Sequence, residues 1–415
     1  MGLRWSQNNV SPIGIDFGAD SIKLLQLVTE DPPQLVAAAQ RDIPEAARKQ
    51  SDSYYQFAAS ALREMVRDVK VKTKRVVASI SAAQTYVQHV RLPVGDGEIV
   101  QQQLEMELRG RLPMDPLSMV VRHVDVGQVF SDGTAKQEVI CLAASRESVM
   151  RSVKAIRQAG LDVVGMHCEP MAILAAFSHL FRREGDEKRT TFFIDVGGAT
   201  TKALIAHGTK LVFAKTIHVA GDHFTRQMAH AWNVEPTEAR HRRIQEAGEE
   251  GAQASTGEPE ATPEPVAEPT PDRRQGAGVP GMAALNAAME ASDNGSSAAT
   301  QTAVAPAATP RPAQAAEGEG EMLEALIDEL QLCAGYHASM FPDRPIEKVV
   351  FLGGESRHVK MCQRIARALR VPAQVADPMA RIVKPRTAAA TGMDLREPMP
   401  GWAVPVGLCT LPTNL

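Results

Sequence analysis

Two short stretches, GIDFGADSIK at residues 14–23 and IDVGGATTK at residues 194–202, decide the fold of this chain. Each begins as an apolar strand with an aspartate near its end, Asp16 in the first and Asp195 in the second. A glycine-containing turn follows, and an apolar run then resumes, which is the pattern of two strands joined by a tight turn. The sequence therefore predicts a β-hairpin at both places.

The segments that flank the two hairpins also match. A third strand is predicted at residues 35–39 after the first hairpin and at residues 211–217 after the second, and apolar residues at helical spacing follow each strand. Strands alternating with helices are typical of an α/β fold with a mixed sheet. Because the same order of elements recurs, we expect two halves of similar topology.

Residues 85–160 lie between the two halves and read as an inserted α+β subdomain. The segment contains apolar runs typical of strands and two stretches with helical spacing, the second closed by Gly160. About 75 residues are too few for a lobe of a two-lobed protein, so we interpret this segment as an inserted subdomain.

Residues 245–320 have an unusual composition. They contain 12 acidic residues, three arginines and no aromatic residue, and proline, alanine, glycine and glutamate dominate. Such a segment buries too little apolar surface to offset the entropy of ordering it. We therefore predict a disordered acidic insertion, which is either a passive loop or a docking segment for a partner.

The composition of the whole chain excludes several classes of protein. With 415 residues the chain is long enough for two domains, and its net charge of −4 argues against a strongly basic nucleic-acid-binding protein. The five cysteines include no CxxC pair, which disfavours a disulfide scaffold and a zinc ribbon. No apolar run is typical of a signal peptide or a membrane span, so we expect a cytoplasmic protein.

The two hairpins have the chemistry of a phosphate site. Glycine allows the backbone to approach a ligand closely, the N–H groups of such a turn form an anion-binding concavity, and hydroxyl groups of serine and threonine donate hydrogen bonds. An aspartate at the mouth suits a hydrated Mg²⁺, so Asp16 and Asp195 are the candidate metal ligands. A single hairpin of this kind is also an ordinary β-turn, and only the matching pair makes the signal specific. The candidate cofactor-binding residues are Gly18, Ala19, Asp20, Ser21 and Lys23 in the first hairpin and Gly197, Gly198, Ala199, Thr200 and Thr201 in the second.

A third glycine-containing segment, VVFLGGESR at residues 349–357, follows the same logic. A strand leads into Gly353 and Gly354, and a helix is predicted to follow to Leu369. Two glycines in sequence let a flat base and a ribose lie against the backbone, although a strand-to-helix turn alone also favours small residues. We add Gly353, Gly354 and Glu355 to the candidate cofactor-binding residues.

These three segments, in this order, resemble the actin/Hsp70/sugar-kinase superfamily of two-lobed ATP-binding proteins. The first hairpin resembles its first phosphate motif, the second hairpin its second, and residues 352–356 its adenosine motif. The resemblance implies an actin-like ATPase fold built from duplicated ribonuclease-H-like β-β-β-α-β units. The segment EPMA at residues 169–172 resembles the first connecting helix, which implies that Glu169 positions the attacking water. An equally good interpretation is that the Glu169 carboxylate stabilises the start of a helix.

Within the superfamily the chain resembles the PilM family of type IV pilus assembly proteins, which is related to FtsA. The inserted subdomain, the segment AGDHFT at residues 220–225, a long helix at residues 321–341 before the third glycine segment, and the ending GWAVPVGL at residues 401–408 support this resemblance. It divides the chain into residues 10–84, the insertion 85–160, a second lobe of residues 161–244 and 321–415, and the acidic insertion 245–320.

The resemblance implies an ATP-binding scaffold with Mg²⁺ and with slow or no ATP hydrolysis. Its implied partner is the N-terminal cytoplasmic segment of a PilN-like inner-membrane protein, together with other pilus assembly proteins. The protein would then lie at the inner membrane through this partner, without inserting into the membrane itself and without binding nucleic acid.

Two alternatives stay open at this point, an FtsA-like cell-division protein and a small-molecule kinase of the same superfamily. The adenosine motif also departs from the family pattern, because Glu355 stands where a third small residue is usual. The basic run RHRR at residues 240–243 is expected to be a solvated helix face.

Overall fold

The computed structural model describes residues 9–95, 97–131, 133–256 and 312–413. The strands are β1 (Ile13–Phe17), β2 (Ser21–Val28), β3 (Gln34–Asp42), β4 (Arg75–Ile80), β5 (Thr85–Pro93), β6 (Met119–Ser131), β7 (Thr134–Ser145), β8 (Asp162–Cys168), β9 (Thr190–Val196), β10 (Thr201–His207), β11 (Lys210–Ile217), β12 (Lys348–Leu352), β13 (Ala373–Val375) and β14 (Ala389–Thr391). The helices are α1 (Glu45–Arg48), α2 (Ser51–Val69), α3 (Gly97–Leu108), α4 (Arg146–Gln158), α5 (Glu169–Phe177), α6 (Gly221–Trp232), α7 (Pro236–Thr256), α8 (Pro312–Met340), α9 (Val359–Leu369) and α10 (Ala403–Leu408).

The two predicted hairpins form the centres of two similar sheets. The first sheet has the order β14-β3-β2-β1-β4-β8, and the second has the order β11-β10-β9-β12-β13. In both sheets the first strand of the half pairs antiparallel with the second strand and parallel with the fourth, as β1 does with β2 and β4 and as β9 does with β10 and β12. The duplicated topology predicted from the sequence is therefore confirmed.

The segment between β4 and β8 forms a sheet of its own with the order β5-β7-β6. Apolar side chains of β5 and β7 pack against α3 in a separate small core that includes Leu92, Leu104 and Val139. This sheet lies within residues 85–160, and its own core explains how about 60 residues fold here without contributing a strand to either large sheet.

Two helices run between the large sheets and connect them. Helix α10 packs against β1, β2 and β4, while α5 contacts both β4 and the second sheet, and the two helices pack on each other. At their contact Gly407 lies so close to the carbonyl oxygen of Ala172 that a side chain at residue 407 would not fit. This close approach of two backbones brings the ends of β1 and β9 to the same cleft.

The predicted acidic insertion, residues 245–320, lies largely outside the described residues. Helix α7 continues to Thr256 and helix α8 starts at Pro312, so both ends of the segment 245–320 are helical, and residues 257–311 lie outside the described residues. Among the residues that the structure does describe, no helix is both long and apolar enough to span a bilayer.

Candidate functional site

Asp16 lies near the end of β1, and its carboxylate is buried. The Ser79 hydroxyl donates a hydrogen bond of 2.9 Å to Asp16 Oδ1 and accepts one of 3.1 Å from the Phe17 N–H, which holds the carboxylate in place. Lys23, its cross-strand neighbour on β2, has Nζ 3.8 Å from Asp16 Oδ2. Burial raises the pKa of Asp16 to about 6, against the opposing charge of Lys23.

Asp195 occupies the equivalent place at the end of β9. Its cross-strand neighbour on β10 is Lys202, whose Nζ lies 3.4 Å from Asp195 Oδ1 and 2.9 Å from Glu169 Oε2. The other oxygen of Glu169 accepts a hydrogen bond of 3.0 Å from the Ala82 N–H. Burial raises the pKa of Asp195. Burial alone would lower the pKa of Lys202, but the charges of Asp195 and Glu169 raise it above its ordinary value.

The two hairpins face one another across the cleft. The Asp20 carboxylate at the tip of the first hairpin lies directly against the backbone of Gly198 in the second, where a larger residue would not fit. Arg48 Nη1 is 2.8 Å from Asp20 Oδ1, and Arg240 Nη2 is 2.7 Å from Asp20 Oδ2. Since Arg48 belongs to the first half and Arg240 to the second, Asp20 is the centre of an ion-pair network that joins the two halves. Asp222 completes this network, with Arg240 Nη1 at 3.5 Å.

The third glycine segment closes the cleft beside Asp195. Strand β12 runs parallel to β9 with Leu352 opposite Asp195, and Gly353 follows with φ +88°, a conformation that favours glycine. A side chain at residue 353 would collide with the Val196 carbonyl oxygen and with the Asp195 carboxylate. The structure therefore brings all three predicted segments together.

Glu355 points toward the start of helix α6 and not into open solvent. Arg243 Nη2 lies 2.6 Å from Glu355 Oε2, and His358 Nε2 lies 3.6 Å from the same oxygen. The carboxylate lies against Gly221, where a side chain would displace it. Arg243 also donates to the Gly221 carbonyl oxygen at 3.2 Å and to Thr225 Oγ1 at 3.0 Å. A buried arginine therefore neutralises the residue that departs from the family pattern.

The prediction of a solvated basic run at residues 240–243 is wrong for two of its four residues. Arg243 is 3% exposed and Arg240 pairs with Asp20, whereas His241 and Arg242 are exposed. The sequence does contain a signal for Arg243, because it lies four residues from Ala239 and four from Ala247, which are both buried. That spacing places residue 243 on the inner face of α7.

The predicted serine, threonine and glycine residues of the two hairpins differ in their hydrogen bonds. The Thr201 hydroxyl donates a hydrogen bond of 2.6 Å to the Val219 carbonyl oxygen, so its proton is engaged away from the cleft, contrary to the expectation that it donates to a phosphate. Ser21 and Thr200 are buried beside their turns, and the Gly18 carbonyl oxygen accepts a hydrogen bond of 2.9 Å from Tyr54.

Lys202 is the main residue that the sequence analysis missed. Both hairpins carry a lysine seven positions after the aspartate, Lys23 after Asp16 and Lys202 after Asp195. Only the first lysine was singled out, although the two hairpins are duplicates. Together, the three segments and α5 place three buried carboxylates, two lysine ammonium groups and glycine backbone around one cleft. This combination suits an anionic ligand with a flat apolar part.

Comparisons with known proteins agree with this architecture. The model of the family described as type IV pilus assembly protein PilM matches residues 14–258. No curated protein sequence matches the chain. The chain is similar to the solved structure of a PilM–PilN type IV pilus biogenesis complex, with 16% identity, a TM-score of 0.69, and 97% of this chain and 98% of that chain covered. This likeness shows that the chain shares the fold of that structure, and the predicted α/β fold class is confirmed.

Two other solved structures are similar to the chain at lower scores. Ethanolamine utilization protein EutJ from Carboxydothermus hydrogenoformans has 12% identity and a TM-score of 0.46, with 96% of this chain and 89% of that chain covered. MreB 5 of Spiroplasma citri, solved bound to AMPPNP, has 12% identity and a TM-score of 0.43, with 95% and 93% covered.

Proposed function

Since the chain belongs to the PilM family of type IV pilus assembly proteins, we propose that it is an actin-like scaffold of pilus assembly that binds ATP between its two halves. The observation that supports this most is the pair of duplicated hairpins that face one another across one cleft, with Asp20 of the first against Gly198 of the second. A cleft between two lobes is where a triphosphate contacts both lobes at once, so its binding favours a defined angle between them.

In this proposal the residues predicted from the sequence have distinct tasks. The two hairpin turns hold the phosphates through their N–H groups, and the Lys23 ammonium adds a positive charge beside them. Gly353 and Gly354 give the adenosine its platform, and Glu355 accepts a hydrogen bond from a ribose hydroxyl. Magnesium fits less well, because Asp16 and Asp195 each already face a lysine ammonium.

The surroundings of Glu169 support slow or no hydrolysis of ATP. A residue that positions an attacking water needs a carboxylate oxygen that accepts a hydrogen bond from that water. In this chain one oxygen of Glu169 accepts from the Ala82 N–H and the other contacts Lys202 Nζ. These contacts favour a structural task for Glu169, the stabilisation of Lys202 and of the start of α5.

We further propose that the protein docks the N-terminal cytoplasmic segment of a PilN-like inner-membrane protein and so lies at that membrane through its partner. The three-stranded sheet supports this site, because β6 is an edge strand that an extended peptide can extend. The same subdomain also exposes several large apolar side chains, as a docking surface does. They are Tyr86, Met106, Met114 and Leu117.

Titration of the purified chain with ATP tests the nucleotide proposal. Wild type is expected to bind ATP, and Asp16→Ala is expected to weaken binding by about tenfold or more, because the cavity loses the carboxylate that orients Lys23. Asp52→Ala is the matched control, since that carboxylate is exposed on α2. Equal ATP affinity in wild type and Asp16→Ala would refute the assignment of the phosphate site.

A second titration tests the partner proposal with a synthetic peptide of the N-terminal segment of a PilN-like protein. Leu117→Ser is expected to weaken peptide binding, because Leu117 is exposed beside the start of the edge strand β6. Leu180→Ser is the control, since Leu180 is similarly exposed but lies outside the inserted subdomain. If both variants bind the peptide as wild type does, the docking site is elsewhere.

A further inference from the structure

Lys202 occupies the place between two carboxylates where a divalent cation would otherwise be expected. Its ammonium lies 2.9 Å from Glu169 Oε2 and 3.4 Å from Asp195 Oδ1, and its side chain is 9% exposed. Glu169 is in turn held by the Ala82 N–H, so the carboxylate that contacts the ammonium most closely is fixed by the backbone of a different segment. The group is therefore built into the core of the cleft and is not a mobile surface lysine.

The cleft holds more negative than positive side-chain charges, and its two lysines are paired differently. Asp16, Asp195 and Glu169 supply three negative charges, and Lys23 and Lys202 supply two positive ones. The pairing is asymmetric, because Lys23 Nζ is 3.8 Å from its aspartate whereas Lys202 contacts two carboxylates at shorter distances. A divalent cation beside Asp195 would meet a fixed ammonium within a few ångströms, and this repulsion is strong in a buried site.

We propose that the Lys202 ammonium takes the place of a divalent cation between Asp195 and Glu169, so that this chain binds ATP without needing magnesium. The inference rests on the proposed nucleotide site and specifies its cofactor requirement. Its physical basis is the geometry: the buried Lys202 ammonium lies between Glu169 and Asp195 and already supplies the positive charge that these two carboxylates need. The magnesium expected from the sequence at Asp16 and Asp195 is then not required.

The first experiment measures metal binding without any nucleotide. Mn²⁺ is titrated into the purified full chain, and free Mn²⁺ is read from its electron paramagnetic resonance signal. Wild type is expected to bind no Mn²⁺ at this site, whereas Lys202→Met is expected to gain a site, because two buried carboxylates lose their cation. Wild-type Mn²⁺ binding that Asp195→Asn abolishes would overturn the inference.

Lys215→Met is a matched control for the lysine substitution. Lys215 Nζ lies 2.8 Å from Glu329 Oε2 and is 14% exposed, so it is also a partly buried lysine paired with a glutamate, but on β11 and α8. This variant is expected to gain no Mn²⁺ site. A gain equal to that of Lys202→Met would show that any lost lysine partner creates one, which would overturn the inference.

The second experiment compares ATP affinity in magnesium and in EDTA. Wild type is expected to differ by less than about threefold between the two buffers, and a loss of about tenfold or more in EDTA would overturn the inference. If Lys202→Met does not fold, the double variant Lys202→Met/Glu169→Gln removes one charge of each sign, and its ATP affinity is expected to become dependent on magnesium. Absence of ATP binding in both buffers refutes the proposed function, and the Mn²⁺ titration then decides this inference by itself.

Discussion

Replacing Asp16 by asparagine should stabilise the protein while it weakens ATP binding. Asparagine has the shape of a protonated aspartate and keeps an oxygen that accepts the hydrogen bond from Ser79. It removes a negative charge that burial makes unfavourable in the folded chain. The positive charges of Lys23 and Lys202 oppose the effect of burial but do not outweigh it, since the pKa of Asp16 stays raised.

The size of the effect follows from the pKa of Asp16. The folded-state pKa of about 6 compares with an ordinary value of 3.8, and this difference corresponds to about 3 kcal/mol in the free energy of unfolding. The sign is set by the raised pKa: the folded chain binds a proton that the unfolded chain has lost, so wild-type stability falls as pH rises from 3.8 to about 6. Above about pH 6 the full cost of burying the Asp16 charge lowers the free energy of unfolding of wild type, and this cost is absent from Asp16→Asn.

Urea unfolding of both chains at several pH values measures this prediction. The stability gained by Asp16→Asn is expected to be near zero at about pH 4 and to reach about 3 kcal/mol at about pH 8. Asp52→Asn, which changes an exposed carboxylate, should show no such growth. If Asp16→Asn does not raise the free energy of unfolding, or raises it equally at every pH, Asp16 is not a buried charge that lowers stability. The reasoning that this charge is retained for function would then be refuted.

Two further predictions concern the glycine turn and a buried histidine pair. Gly353→Ala is expected to lower the melting temperature and to abolish ATP binding, because residue 353 has φ +88° and contacts the backbone of β9. The control Gly335→Ala, on the open face of α8, should change neither quantity. Normal ATP binding by Gly353→Ala would contradict the placement of the third glycine segment. His207 Nε2 and His337 Nε2 lie 3.0 Å apart, and burial lowers the pKa of both histidines from 6.5 to about 4. The free energy of unfolding of wild type, measured in urea, should therefore fall as pH falls from 6.5 to about 4. His337→Gln should show a smaller fall, and identical pH dependence of the two chains would contradict this reading.

Most of the fold was predictable from local patterns. The two hairpins, the third strand of each half and the positions of Asp16 and Asp195 follow from apolar runs, glycine turns and the recurrence of one order of elements. The ends of the acidic segment 245–320 are helical, because a composition rich in alanine and glutamate is compatible with helix as well as with disorder. Arg243 was misjudged because a basic run was interpreted by its charge and not by its helical spacing.

The contact between the inserted subdomain and the second half was not predictable. Glu138 of β7 is buried and accepts hydrogen bonds from Arg91 Nε at 2.9 Å, from the Tyr336 hydroxyl at 2.8 Å, and, with Nδ1 protonated, from His89 at 3.2 Å. Burial would raise the pKa of Glu138, but these partners lower it overall. Residues on β5, β7 and α8 meet here although they are far apart in the chain, and no local pattern marks any of them.

The sequence by itself determined the element order, the duplication and the three glycine segments, because apolar periodicity and turn chemistry act between residues that are close in the chain. Only the tertiary structure decided which charged groups meet in the cleft: Lys202 with Glu169, and Asp20 with Arg240. These pairs depend on how separately formed sheets and helices pack, and a charge that packing buries must find a partner of opposite sign wherever the fold provides one.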